Sequence, residues 1–159
     1  MARSALRPAS LSHDDILKSY ARRGSECAYA NLRMLARVAS NTYDEALRPV
    51  DLRAGQLALM WAILAAGPVE IGRLSQITVT DQTTLSRTIA KLRQARLVQV
   101  KAGSDRRVKI VSLSETGRRR FAAAMPYWEE AQRRAAKLFS LDDVRNLART
   151  VRRHVRQSA

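Results

Sequence analysis

TVTDQTTLSRTIAKLRQARLVQVKAGSDRRVKIVSLS, residues 78–114, decides the fold. Val79-Thr80 interrupts a helical pattern, and Asp81 to Ala95 resumes it through Leu85, Ile89 and Leu92, spaced by four and three. Thr80 or Asp81 is the expected N-cap, because its side-chain oxygen can accept from an orphan backbone N–H. Leu97 to Lys101 and Val108 to Leu113 read as strands, and the Gly103-Ser104-Asp105 turn joins them into a hairpin. The order is a capped amphipathic helix followed by a small β-wing.

Helices surround this segment. From Asp14 to about Leu47 the pattern is helical, with Ala28, Leu32, Leu35, Ala39 and Tyr43 forming a stripe. Pro49 and Gly55 bracket a break. Gln56 to Ala66 is so apolar that it should be buried on most sides, and Gly67-Pro68 ends it. Glu70 to Ile77 reads as a short helix with Ile71 and Leu74 inward. Ser114 can cap a long helix from Glu115, striped by Phe121, Met125, Trp128, Ala131 or Gln132, Ala135 and Leu138, which Pro126 should kink or interrupt. Ser140 and Asp143 resemble a capping box for a last helix through Val144, Leu147, Val151 and Val155. The expected fold class is mainly α with a small β-hairpin, a winged helix-turn-helix core between N- and C-terminal dimerisation helices. Its parts are a mobile basic arm at 1–13, helical dimerisation regions at 14–48 and 115–157, and the winged module at 49–114. The terminal stripes cannot bury themselves alone, which argues for a homodimer.

Composition narrows the partners. The 159 residues suit one domain with helical extensions, and 29 Lys and Arg against 14 Asp and Glu leave a net charge of +15. Such an imbalance favours a polyanionic partner, because self-repulsion otherwise costs stability. A basic ribosome-associated protein or an acidic membrane surface are the other readings of charge alone. Aromatics are 5% of the chain, too few for a surface built mainly from stacked bases. No apolar run reaches the length of a membrane span and no secretion signal is visible, so a cytoplasmic location is expected.

The major groove of B-DNA admits one α-helix, whose first two turns reach the base edges. Here those turns carry Thr80, Asp81, Gln82, Thr83, Thr84, Ser86 and Arg87, with Lys91 one turn further on. Gln82 suits adenine, Arg87 guanine or phosphate, the threonines a thymine methyl or phosphate, and Lys91 the backbone. On the hairpin, Ser104, Asp105, Arg106, Arg107 and Lys109 form a basic tip whose guanidinium groups can enter the minor groove. Asp105 is expected to pair with one arginine, or a neighbouring segment, and hold the other in place.

TYDEALRPVDLRAGQLALMWAIL, DQTTLSRTIAKLRQARLV and SDRRVKIVSLSETGRR carry a further signal. Along residues 20–155 the chain resembles the MarR (multiple antibiotic resistance regulator) family of winged helix-turn-helix proteins, with Asp105 and Arg107 on the acidic and basic positions of the family's wing signature. The resemblance implies a homodimer with interlocked terminal helices, placing two recognition helices in successive major grooves of a pseudo-palindrome. It also implies a repressor that releases double-stranded DNA when a small phenolic, aromatic-acid or lipophilic effector binds between the dimer region and the DNA module.

Some members sense organic peroxides through a cysteine in the first helix. Aligned through Tyr43 and Gln56, that position falls on Tyr29, while Cys27 lies two residues earlier, about 200° round a helix. The supporting tyrosine positions fall on Tyr43, Arg33 and Ala54, so Cys27 is expected to be a small packed or half-exposed residue instead. An effector pocket is expected from Tyr29, Arg33, Met60, Trp61 and Leu64, with Arg33 binding a carboxylate. His13 and His154 stand apart from any Asp, Glu or Cys grouping, and no phosphate loop occurs, so neither an enzyme nor a metal or other cofactor is expected. The functional reading is a ligand-responsive transcriptional repressor. A non-sensing architectural DNA-binding protein is the alternative, and a helical protein–protein adaptor a third.

Overall fold

The computed structural model describes residues 12–105 and 107–157. The chain divides into two compact units, Met1–Val38 and Ala39–Ala159. The expected basic arm at 1–13 lies outside the described residues up to residue 11. Its last two residues instead open a helix: Ser12 caps α1 (His13–Arg22) by accepting from the N–H of Asp15. A 3₁₀ turn, Gly24–Glu26, and an extended Cys27 separate α1 from α2 (Ala28–Leu47). The single helical run expected from Asp14 to Leu47 is therefore two helices. Gly24 lowers helix propensity there, and the Asn31 side chain donates to the Ser25 carbonyl, satisfying the turn locally.

In the second unit, α3 (Ala54–Ala66) begins where Asp44 accepts from the N–H of Ala54 and Gln56 accepts from that of Arg53. It ends at Gly67, whose φ of 73° is left-handed and costs glycine little. Leu57, Leu59, Met60 and Ile63 are buried, but Trp61 and Leu64 are about two-fifths exposed, so α3 is less enclosed than its composition suggests. Next come β1 (Val69–Glu70), α4 (Ile71–Thr78), α5 (Gln82–Gln94), β2 (Val98–Ala102) and β3 (Lys109–Leu113). The sheet is antiparallel with order β1-β3-β2. Val111 of β3 pairs with Val69 on one side and Val100 on the other. The hairpin was expected from Leu97 and Val108, whereas its strands start one residue later. The two-residue strand β1 went unanticipated.

The long helix α6 (Glu115–Ala136) runs through Pro126. The expected interruption does not occur: Pro126 and Ala122 are both exposed, so the carbonyl that Pro126 leaves without a helical donor faces water. Phe121, Ala124, Ala131 and Ala135 are its buried face, while Leu138, beyond its end, is exposed. The last helix, α7 (Leu141–Gln157), has its first turn held by Ser140, which accepts from the N–H of Asp143.

The core joins Leu47, Leu57, Met60, Ile63, Leu74, Leu85, Leu92, Val111 and Phe121 from α2 to α6. Arg120 donates to the Val50 carbonyl at 2.7 Å, and the Tyr43 hydroxyl donates to Gln132, tying α6 to the segment before α3. Burial holds the Tyr43 phenol above its ordinary pKa. One face of the helix-turn-helix therefore rests on a packed body, and the other is free.

Candidate nucleic-acid interface

The turn between α4 and α5 is a Schellman-type helix end. Val79 takes a left-handed φ of 50°, its N–H meets the Gln76 carbonyl, and the N–H of Thr80 meets the Ser75 carbonyl. A β-branched residue is strained there. The strain is offset by bonds around it: Ser75 donates to the Thr80 carbonyl and the Thr80 hydroxyl to that of Thr78. Of the two expected caps, Asp81 takes the role, accepting from the N–H of Thr84 at 2.9 Å. That backbone bond, joined by one from the Thr84 side chain, holds the Asp81 carboxyl below its ordinary pKa.

Beyond the cap, α5 has two chemically distinct faces. Leu85, Ile89 and Leu92 are buried, whereas Asp81, Gln82, Thr83, Thr84, Ser86, Arg87 and Lys91 are exposed. Thr80, half-buried, lies at the edge of this face. The eight residues expected to read DNA thus lie at the start or on the outward side of one helix.

On the hairpin, Ser104, Asp105, Arg107 and Lys109 are exposed, and Arg106 lies outside the described residues. Asp105 accepts from the backbone N–H of Arg107 at 2.8 Å, and its carbonyl accepts from the N–H of Val108. The expected partnership between Asp105 and an arginine is therefore made, for Arg107, by its main chain. The carboxylate shapes the turn and leaves the Arg107 side chain exposed.

A cavity of about 780 Å³ opens behind the recognition helix. Tyr43, Trp61 and Trp128 give it aromatic walls, Thr84 and Thr88 bring α5 to it, and Arg152 supplies a cation. Trp61 sits between Phe121 and Trp128, with ring centroids 5.3 and 5.2 Å away. Of the expected pocket residues in this unit, Trp61 lines the cavity. Met60 is wholly buried in the core, a correction to its expected place, and Leu64 is exposed elsewhere on α3. Tyr29 and Arg33 belong to the first unit, where the Arg33 guanidinium donates to the Tyr29 hydroxyl at 3.1 Å and lies over its ring. The sequence offered no signal for Tyr43, Trp128 and Arg152, because no local pattern brings α2, α6 and α7 to one space. Cys27, expected to be packed or half-exposed, is exposed. Among the described residues no group of three or more His, Cys, Asp or Glu side chains has the arrangement of a metal site. Nor is any described helix long and apolar enough to cross a membrane.

Residues 52–117 match a family described as a winged helix DNA-binding domain. No curated protein matches the chain by sequence. Among solved structures, the chain is similar to the Mycobacterium tuberculosis transcriptional regulator MOSR, solved in complex with DNA. Identity is 28%, coverage 83% of this chain and 98% of that one, and the TM-score 0.73. It is also similar to Bordetella bronchiseptica BpsR, whose DNA binding is regulated by 6-hydroxynicotinic acid, at 20% identity, 82% and 94% coverage and a TM-score of 0.69. AbsC, a MarR family transcriptional regulator from Streptomyces coelicolor, aligns at 19% identity, 93% and 98% coverage and a TM-score of 0.66. The chain therefore has a winged helix-turn-helix fold, with a winged helix DNA-binding domain at residues 52–117 and an overall fold similar to that of these regulators.

Proposed function

We propose that this chain is a sequence-specific DNA-binding transcription regulator, acting as a homodimer on a pseudo-palindromic operator. The observation that carries this reading is the two-faced helix α5, capped by Asp81, with a basic hairpin beside it in sequence and fold. Gln82, Thr83, Thr84, Ser86 and Arg87 present a mixed donor and acceptor surface to base edges, and Lys91 a charge to the backbone. Ser104, Arg106, Arg107 and Lys109 serve the adjoining groove and phosphates, with Asp105 shaping the tip. The net charge of +15 supplies the sequence-independent attraction. The DNA complex of MOSR, to which the fold is similar, supports the same use.

Dimerisation follows from the exposed stripe Val144, Leu147, Val151 and Val155 on α7, which a second copy would cover. The regulator is read as a repressor released by a small aromatic acid. The cavity volume lies within the range of about 300–1,000 Å³ typical of ligand sites, and its aromatic walls and Arg152 suit a planar anion. Regulation of BpsR by an aromatic acid supports this choice.

Selection of duplexes from a random pool, followed by titration near 150 mM salt, tests the reading. A regulator prefers its selected site over scrambled DNA by about 10³ or more. An architectural DNA binder, which the high net charge alone would also suit, shows almost no preference. Quenching of Trp61 and Trp128 fluorescence by 6-hydroxynicotinic or benzoic acid, with release of the selected duplex, tests the effector. Unchanged fluorescence and retained DNA would remove the sensing half of the reading.

A further inference from the structure

Ser114 is the one buried polar residue among the described residues, 9% exposed, and it is used three times over. Its hydroxyl oxygen accepts from the N–H of Gly117 at 2.9 Å, capping α6. The same hydroxyl donates to the carbonyl of Arg96 at 2.6 Å, and its backbone N–H donates to the carbonyl of Leu97 at 3.1 Å. Arg96 and Leu97 are the two residues that terminate the recognition helix. Arg96 has a left-handed φ of 58°, its N–H meets the Arg93 carbonyl, and the N–H of Leu97 meets the Leu92 carbonyl.

The contact is close enough to demand glycine. A Cβ on Gly117 would lie 1.9 Å from the Leu97 oxygen and 2.9 Å from its carbonyl carbon. The Arg96–Leu97 segment that ends α5 and the first turn of α6 therefore meet backbone to backbone, with one hydroxyl bridging them. A side-chain contact can slide by changing rotamer. A joint made of main-chain groups and one short side chain has no such freedom.

We propose that Ser114 and Gly117 form a rigid strut that fixes the pitch of the recognition helix relative to α6, making Ser114 a positioning residue for DNA reading. This rests on the DNA-binding homodimer proposed above: α6 leads into α7, which carries the stripe a second copy would cover, so the angle at the strut sets the separation of the two reading helices. Half-sites in DNA recur with the helical turn, and a pair of rigidly held helices accepts one spacing.

Three substitutions separate positioning from capping. Ser114→Thr keeps both the donor and the acceptor. Ser114→Asp keeps an acceptor for the Gly117 N–H but, as a carboxylate, has no proton for the Arg96 carbonyl. Ser114→Ala loses both. The first measurement is affinity for the selected duplex and for versions with one base pair added or removed between half-sites. Wild type and Ser114→Thr should lose about tenfold or more per change, as for loss of a base contact, while Ser114→Asp and Ser114→Ala discriminate far less. The second needs no DNA: spin labels at Gln82→Cys and Glu129→Cys, in a Cys27→Ser background, report the width of the α5–α6 distance distribution. That width should broaden in Ser114→Asp and Ser114→Ala and stay narrow in Ser114→Thr. Should wild type select no bipartite sequence, the DNA reading falls, and the distance widths still decide the strut. A capped, folded Ser114→Asp protein with wild-type widths would overturn it.

Discussion

Two helices of this chain carry the same kind of stripe and meet different fates. On α5, Leu85, Ile89 and Leu92 are 2, 4 and 0% exposed; on α7, Val144, Leu147, Val151 and Val155 are 48, 53, 49 and 39% exposed. Periodicity makes both amphipathic, and each stripe is built from aliphatic side chains. What differs is the partner: α5 closes against α4 and strand β2 of its own chain, whereas the α7 stripe lacks such a cover among the described residues. The first stripe therefore stabilises one molecule, and the second stores a driving force for association.

Placing charge on the open stripe should have the largest effect. Leu147→Glu with Val151→Glu should convert a dimer to monomers in sedimentation equilibrium. Because two linked half-site contacts become independent, affinity for the selected duplex should fall about 10³-fold, within the usual range for lost bivalency. A double variant that stays dimeric and binds normally would mean that α7 is not the joining surface. The closed stripe behaves differently. Leu92→Ala should cost about 3 kcal/mol in urea unfolding, from lost burial and the cavity left behind, at every protein concentration. For Leu147→Ala the loss should instead grow with concentration, as expected when the contact is made between copies.

The same contrast explains what could be read from sequence. Leu85, Ile89 and Leu92, the two strands and the Gly103-Ser104-Asp105 turn are local signals, each contained in a few consecutive residues, and they place the recognition helix and wing. The break at Gly24 was hidden because the apolar spacing of α1 and α2 runs nearly in phase across it. Of the two readings of Pro126, a kink or a new segment, the second does not hold, because a strong local breaker is tolerated inside a helix where the freed carbonyl faces solvent. Strand β1 is two residues long, too short for any alternation. The cavity and the Ser114–Arg96 bond join residues far apart in sequence, 18 in the latter case, and no pattern along the chain encodes such meetings. Met60 was expected at a pocket because Met and aromatic residues at helical spacing suit both cavity and core, and here Trp61 took the cavity and Met60 the core.

On the open face of α5 the effects should be smaller and chemically distinct from those on its closed face. Arg87→Ala should weaken the selected duplex by about 1–3 kcal/mol and relax preference at one base pair, leaving urea unfolding nearly unchanged. Arg107→Ala, at the wing, should weaken all duplexes more evenly and reduce the salt slope by about one. Titrations at several salt concentrations against selected and scrambled DNA distinguish them. Equal loss on both duplexes for Arg87→Ala would assign that side chain to phosphate rather than base.

The smallest effect belongs to Asp81, which stands where the two faces of α5 begin. Its folded pKa lies below the ordinary aspartate value because the Thr84 N–H, and then the Thr84 side chain, bond its charged form. A depressed carboxylate contributes stability that is fully present above the unfolded pKa and is lost as pH falls through the lower folded value. Asp81→Asn keeps a capping oxygen but does not titrate, so it should flatten this acid-side part of the stability profile while changing neutral-pH stability little. Asp81→Ala should remove the pH-dependent part and the cap together, and so be less stable than Asp81→Asn at neutral pH. Both substitutions also delete a negative charge from the reading face, and should raise affinity for scrambled DNA at low salt. Thermal melts across the acid range, paired with non-specific binding at two salt concentrations, check both consequences. If Asp81→Asn retained the wild-type acid slope, the cap bond to Thr84 would not be the source of that dependence.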